Sequence, residues 1–132
     1  MSKFTNRITE AEFIRNLAIQ GHPFDVIRQF VICYRFVADE DIDHQEYLGD
    51  KWAQFEQYMY DLMNYDKGDP RHLRLIDFIL NNKIDPDEGA LYSSTLKVDH
   101  IQKIIQEVKD QLKDGIKLEP KRVDPNEEPE KK

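Results

Sequence analysis

Aspartate stands three residues before histidine at two places in this chain, Asp41–His44 and Asp69–His72. A carboxylate and an imidazole at that spacing share one helix face and could hold a metal ion, as in di-metal helical bundles. Both pairs fall where a helix should begin, and an aspartate there is wanted to cap orphan backbone N–H groups. No second inward carboxylate offers itself from a facing helix, so the sequence assigns no metal. Asp39, Asp41 and Asp43, with Asp50 eleven positions after Asp39, imitate the alternating ligands of a calcium loop. The imitation fails at its demanding points. His44 holds the place of the turn glycine, Glu46 that of the apolar residue, and Asp50 that of the bidentate glutamate. An acidic interhelical loop is the simpler account. His22 and His100 also lie at helix starts, and all four histidines read as surface residues.

The lone cysteine, Cys33, lies in the apolar run Phe30–Tyr34, where a thiol packs as a small hydrophobe and is not activated. There is no Gly-rich phosphate loop, no metal-protease signature and no nucleophile elbow. No catalytic residue and no cofactor is therefore assigned. A lone thiol also makes no internal bridge, so nothing asks for an oxidising compartment. The opening MSKFTNRITEAEF lacks the apolar stretch of a secretory signal, and no run is long enough to span a membrane. The expected location is the cytoplasm.

What stands out instead is charge. Ten of the twenty-six acidic residues lie between Asp39 and Asp69, opposed only by Lys51 and Lys67, a net of −8 against −7 for the whole chain. The same segment holds the only Trp and four of the six Tyr. Such a surface repels nucleic acid and anionic membranes and attracts basic partners. Tyrosine suits an interface because it buries a large ring at small entropic cost and keeps a hydroxyl for pairing. On a helical projection Tyr47, Tyr58 and Tyr65 share a flank, with Gln54 and Asp61 beside them and Asp50 on the outer face. These six residues are the expected partner-binding face. The alternative is a solvated helix with its tyrosines at the core margin.

The elements that must position this face are helices. Thr9 with Glu12 forms a capping box, Ile8 and Phe13 a staple, and Gly21 a stop for a helix burying Phe13, Ile14, Leu17 and Ala18. Pro23 opens a second helix over 24–38, apolar nearly all round and therefore central. The pair Asp43–Glu46 opens a third helix to about Tyr65, with Leu48, Trp52, Phe55, Met59 and Leu62 as its seam and Gly49 as a weak point. Asp69-Pro70 starts a fourth, ending near Asn82, with Leu73, Ile76, Ile79 and Leu80 inward. Asp85-Pro86 with Glu88 signals another start, and 90–97 is ambiguous between helix and extended chain. Asp99 with Gln102 caps the last helix, with Ile101, Ile104, Ile105, Val108 and Leu112 inward and Gly115 as its stop. The first two helices could pass for a helix-turn-helix, but the second lacks the polar basic face that reads DNA.

The chain thus reads as an all-α, single-domain bundle of five or six helices over 1–116. A charged tail, 117–132, is expected to be disordered, since three prolines and ten charges cannot offset the entropy of ordering. The expected function is that of a small non-enzymatic binding protein, an inhibitor, immunity-type protein or accessory subunit. It would dock on a basic protein, including a nucleic-acid-binding one whose groove its carboxylates occlude. The alternatives are a homo-oligomer sharing the Leu48–Leu62 seam, or an enzyme or metal-binding bundle with an unrecognised site.

Overall fold

The computed structural model describes residues 3–82 and 96–126. Among them are seven helices and no strand: α1 Lys3–Arg7, α2 Glu10–Ile19, α3 Phe24–Ala38, α4 His44–Leu48, α5 Lys51–Asn64, α6 Pro70–Asn82 and α7 Val98–Lys113. The helix start around Asp85-Pro86 and most of the ambiguous stretch, 90–95, lie outside the described residues, as do 127–132.

Helix α3 is the hub. Ile27, Phe30, Val31, Ile32, Cys33, Tyr34, Phe36 and Val37 are all buried, so its apolar arc leaves little for water. Helix α2 starts at the capping box, with Thr9 Oγ1 accepting from Glu12 N and Glu12 Oε1 accepting from Thr9 N, each at 3.1 Å. It packs on α3 and most extensively on α7, while α5 packs chiefly on α6. Gly21 (φ 90°) and Gly115 (φ 84°) end α2 and α7 in the left-handed conformation. In each case the following amide reaches back five residues, His22 N to Leu17 O and Ile116 N to Gln111 O. This double closure satisfies carbonyls a bare helix end would leave open.

Four expectations need correction. A short N-terminal helix, α1, precedes the capping box, and Phe4 anchors it. Its buried ring meets Phe13, Tyr34 and Tyr60 edge-on with centroids 5.7–6.0 Å apart. The third helix is two, broken at Gly49, whose φ 59° and ψ −134° no helical residue can adopt. In α6 the buried residues are His72, Leu75, Phe78 and Ile79, whereas Leu73 and Leu80 are 61% and 70% exposed. In α7, Lys97 and not Asp99 occupies the N-cap, and Leu112 is exposed.

The stretch 117–126 also departs from the expectation of disorder. Val123 is buried and Leu118 packs against the core. Two asparagines pin the backbone. Asn16 donates to Lys121 O (2.7 Å) and accepts from Lys121 N (2.9 Å). Asn64 does the same to Val123, at 2.6 and 3.0 Å. Composition pointed to disorder because the stretch cannot bury much surface. These reciprocal bonds come from α2 and α5, far away in sequence.

Candidate functional site

The break at Gly49 turns the acidic segment into a corner. The loop after α3 carries Asp39, Glu40 and Asp41. Asp43 caps α4 by accepting from Glu46 N at 3.1 Å. The cap sets the first residue of α4, His44, against the end of α3, where its Nε2 pairs with Phe36 O at 2.6 Å. That bond holds the imidazole flat on the indole of Trp52, centroids 4.4 Å apart and planes 15° from parallel. Phe36 meets the edge of His44 on one side and of Tyr47 on the other, at 4.9 and 5.5 Å. A cavity of about 430 Å³ opens here, lined by Val37, Asp39, Glu40, Ile42, His44, Trp52 and Glu56. Burial raises the Glu56 carboxyl above the ordinary carboxylate range, against the pull of His44 and Lys3. Among the described residues, Asp41, Asp43, Glu46, Asp50 and Glu56 have no cation within ion-pairing distance. The arrangement is an aromatic-walled cavity lined by three carboxylates within a segment of net negative charge, which can accept a cationic side chain.

Of the six residues expected to form the partner face, Tyr47 stands on α4 and the other five run along α5 and its two caps. Tyr47 (39% exposed) and the exposed Asp50 belong to the corner, on α4 and at the start of α5. Gln54 donates to the Tyr58 hydroxyl at 2.5 Å. The Tyr58 ring also meets Phe78 of α6 edge-on at 5.6 Å. The Tyr65 ring lies under the Arg71 guanidinium, 3.1 Å from its centroid, and Arg71 is also paired with Asp69. Asp61 accepts from Gln57 at 3.0 Å. Tyr58 and Tyr65 therefore sit half-buried along the seam between α5 and α6. Trp52 and Glu56, on the other flank of α5, line the open cavity, a pairing the helical projection missed. The sequence did carry the signal: the sole Trp, inside the acidic block.

Of the four histidines read as surface residues, His100 is exposed and His44 half-buried, but two are buried. His22 and His72 are 9% and 4% exposed, and their rings lie 5.5 Å apart. Gln20 reaches His22 Nε2 at 3.2 Å, while neither ring nitrogen of His72 forms a hydrogen bond. Burial lowers the His22 pKa to about 4, with His72 and Lys67 adding to the effect. Burial lowers that of His72 as well, against Asp69, the Tyr65 carbonyl and Asp61. No group of three or more His, Cys, Asp or Glu among the described residues is placed to hold a metal ion. The guanidinium nitrogens of Arg7 are also buried without hydrogen-bond partners, and Arg7 lines neither the cavity at His44 nor those beside Arg122. None of the described helices is long and apolar enough to cross a membrane.

No known protein family matches the sequence, and comparison with curated proteins and with solved structures returns none similar to it.

Proposed function

We propose that this chain is a non-enzymatic cytoplasmic binding protein, an inhibitor or accessory subunit that docks on a basic protein through its acidic corner. One observation carries the reading: the His44–Trp52 stack walls a cavity lined by the carboxylates Asp39, Glu40 and Glu56, with the exposed acids Asp41, Asp43, Glu46 and Asp50 close by in the same segment. A lysine or arginine of the partner enters the cavity against the indole and meets the Glu56 carboxylate. The surrounding acids steer the approach. Tyr47 and Asp50 flank this contact. Gln54, Tyr58, Asp61 and Tyr65 extend it along α5 where the partner is broad. A nucleic-acid-binding groove is one basic surface such a charge array would occlude.

The test is capture of partners on the purified protein at low and then high salt, with Trp52→Ala and a paired Asp41→Lys, Asp50→Lys variant alongside. The expected outcome is one stoichiometric basic protein, released by salt. Trp52→Ala should cost about 2 kcal/mol or more of its affinity, and each rim carboxylate under about 1 kcal/mol. A thermal melt shows that the variants are folded. Undiminished capture by the folded variants sinks this placement of the site.

A second reading has its own support. In the Leu48–Leu62 seam Phe55, Met59 and Leu62 are 0% exposed, while Leu48 and Trp52 are half-buried. Leu73 and Leu80, with half-buried Ile76 between them, instead leave an apolar stripe on α6. If that stripe pairs two copies, sedimentation shows a concentration-dependent dimer that Leu73→Lys abolishes.

A further inference from the structure

The stretch 118–126 is held in a way that reads peptide backbone in general. A carboxamide offers one donor and one acceptor, like a peptide group. Asn16 and Asn64 each use both on a single residue, and the residues they grip, Lys121 and Val123, stand two apart in a stretch that is neither helix nor turn. Between them Arg122 is exposed, and Val123 is driven into the protein (1% exposed), with Leu118 half-buried upstream. Charge adds to the fit. Lys121 Nζ lies 3.4 Å from Glu12 Oε2. Arg122 shares one cavity with Asp61 and Gln57, and a second with Gln20 and Asp66. Main-chain bonds for affinity with one side-chain pocket for specificity is the logic of strand-like peptide recognition. The tether is slight: Asp114–Lys117 is exposed throughout, with the Gly115 turn as its pivot.

We propose that the groove across α2 and α5 is a recognition site for an extended segment of another protein, a basic pair followed by a β-branched residue. The chain's own Lys121-Arg122-Val123 occupies it as a built-in competitor. The groove meets the surface proposed above only at its far end, at Asp61 and Tyr65, and this inference does not rest on the function proposed there. A second copy of the chain is the poorer candidate. It brings the identical segment and lacks the millimolar-range effective concentration that a short tether confers in cis. Displacement requires a segment that fits better or is presented at high local concentration.

The probe is a fluorescent peptide of residues 117–126, KLEPKRVDPN, titrated by anisotropy into full-length chains. Val123→Asp should unseat the cis segment and bind the probe at least tenfold more tightly than the wild type. Adding Asn64→Ala to that variant should lose at least tenfold. A folded Val123→Asp chain that ignores the probe overturns the proposal. If that chain does not fold, the wild type decides by nuclear magnetic resonance. Millimolar unlabelled peptide should strip exchange protection from the Lys121 and Val123 amides, and unchanged protection overturns the proposal. A wild-type dimer at micromolar concentration that Val123→Asp abolishes makes the second copy the occupant and overturns it too.

Discussion

His22 and His72 face each other inside the protein, and at this scale a single proton matters. Burial disfavours the charge on both rings; for His22 the charges of His72 and Lys67 add to it, and at His72 it outweighs the pull of Asp69, the Tyr65 carbonyl and Asp61. The folded chain therefore holds imidazoles neutral that an unfolded chain protonates below about pH 6.5. Lowered histidine pKa values mean that the unfolded state binds more protons, so stability falls as pH drops from about 6.5 towards 4 and is level above that window. For His22 alone the full effect is about 3 kcal/mol, using about 1.4 kcal/mol per unit. Urea denaturation at pH 7.5 and pH 5 should show the loss. His72→Leu, which removes two unpartnered buried nitrogens, should reduce it and leave stability at pH 7.5 unchanged or up to about 1 kcal/mol higher. An equal pH dependence in that variant would assign the acid sensitivity to His22 or to other groups, with no share for His72.

Among the elements, the break between α4 and α5 shapes the corner more than any one side chain. Gly49 takes a positive φ with nothing within 4 Å of where a Cβ would stand, so an alanine there meets a backbone penalty and no clash. Gly49→Ala should cost about 1–2 kcal/mol in urea denaturation and weaken the His44–Trp52 contact, read from tryptophan fluorescence. A neutral result would mean that the two segments can fuse into one helix. The sequence announced Gly49 as a weak point but not a break, because helix propensity says nothing of where a loop must turn the chain. Capping signals did better: Thr9–Glu12, Asp43–Glu46, Gly21 and Gly115 all act locally, and all stand where the pattern put them. The inward face read for α6 put Leu73 and Leu80 inside wrongly, because apolar residues surround much of the helix. Phe78, packing on Phe55 and Tyr58, decides its rotation, and those contacts are long-range. Of the partner face, the acidic charge and the aromatic content were legible. Their division between a corner and a helix seam follows from the break at Gly49.

At the scale of the molecule, the charge that suits a basic partner works against the free chain. With a net −7 and the acids concentrated from Asp39 to Asp69, compaction brings like charges together, and the described ion pairs do little to relieve them. Salt at 0.15 M shortens the screening length to about 8 Å, so it weakens this repulsion between surface groups. The melting temperature of the free protein should therefore rise between 10 and 150 mM NaCl at pH 7.5. It should rise less in the Asp41→Lys, Asp50→Lys variant, where part of the repulsion is already gone. The same salt must act with the opposite sign on docking, because there the carboxylates attract. A protein that melts higher and binds more weakly as salt is added has its acidic corner strained when free and satisfied when bound. If the melting temperature is flat with salt while binding remains salt-sensitive, the acids are too well solvated to strain the fold and serve the encounter alone. If neither responds, the charge of this segment is incidental to what the protein binds.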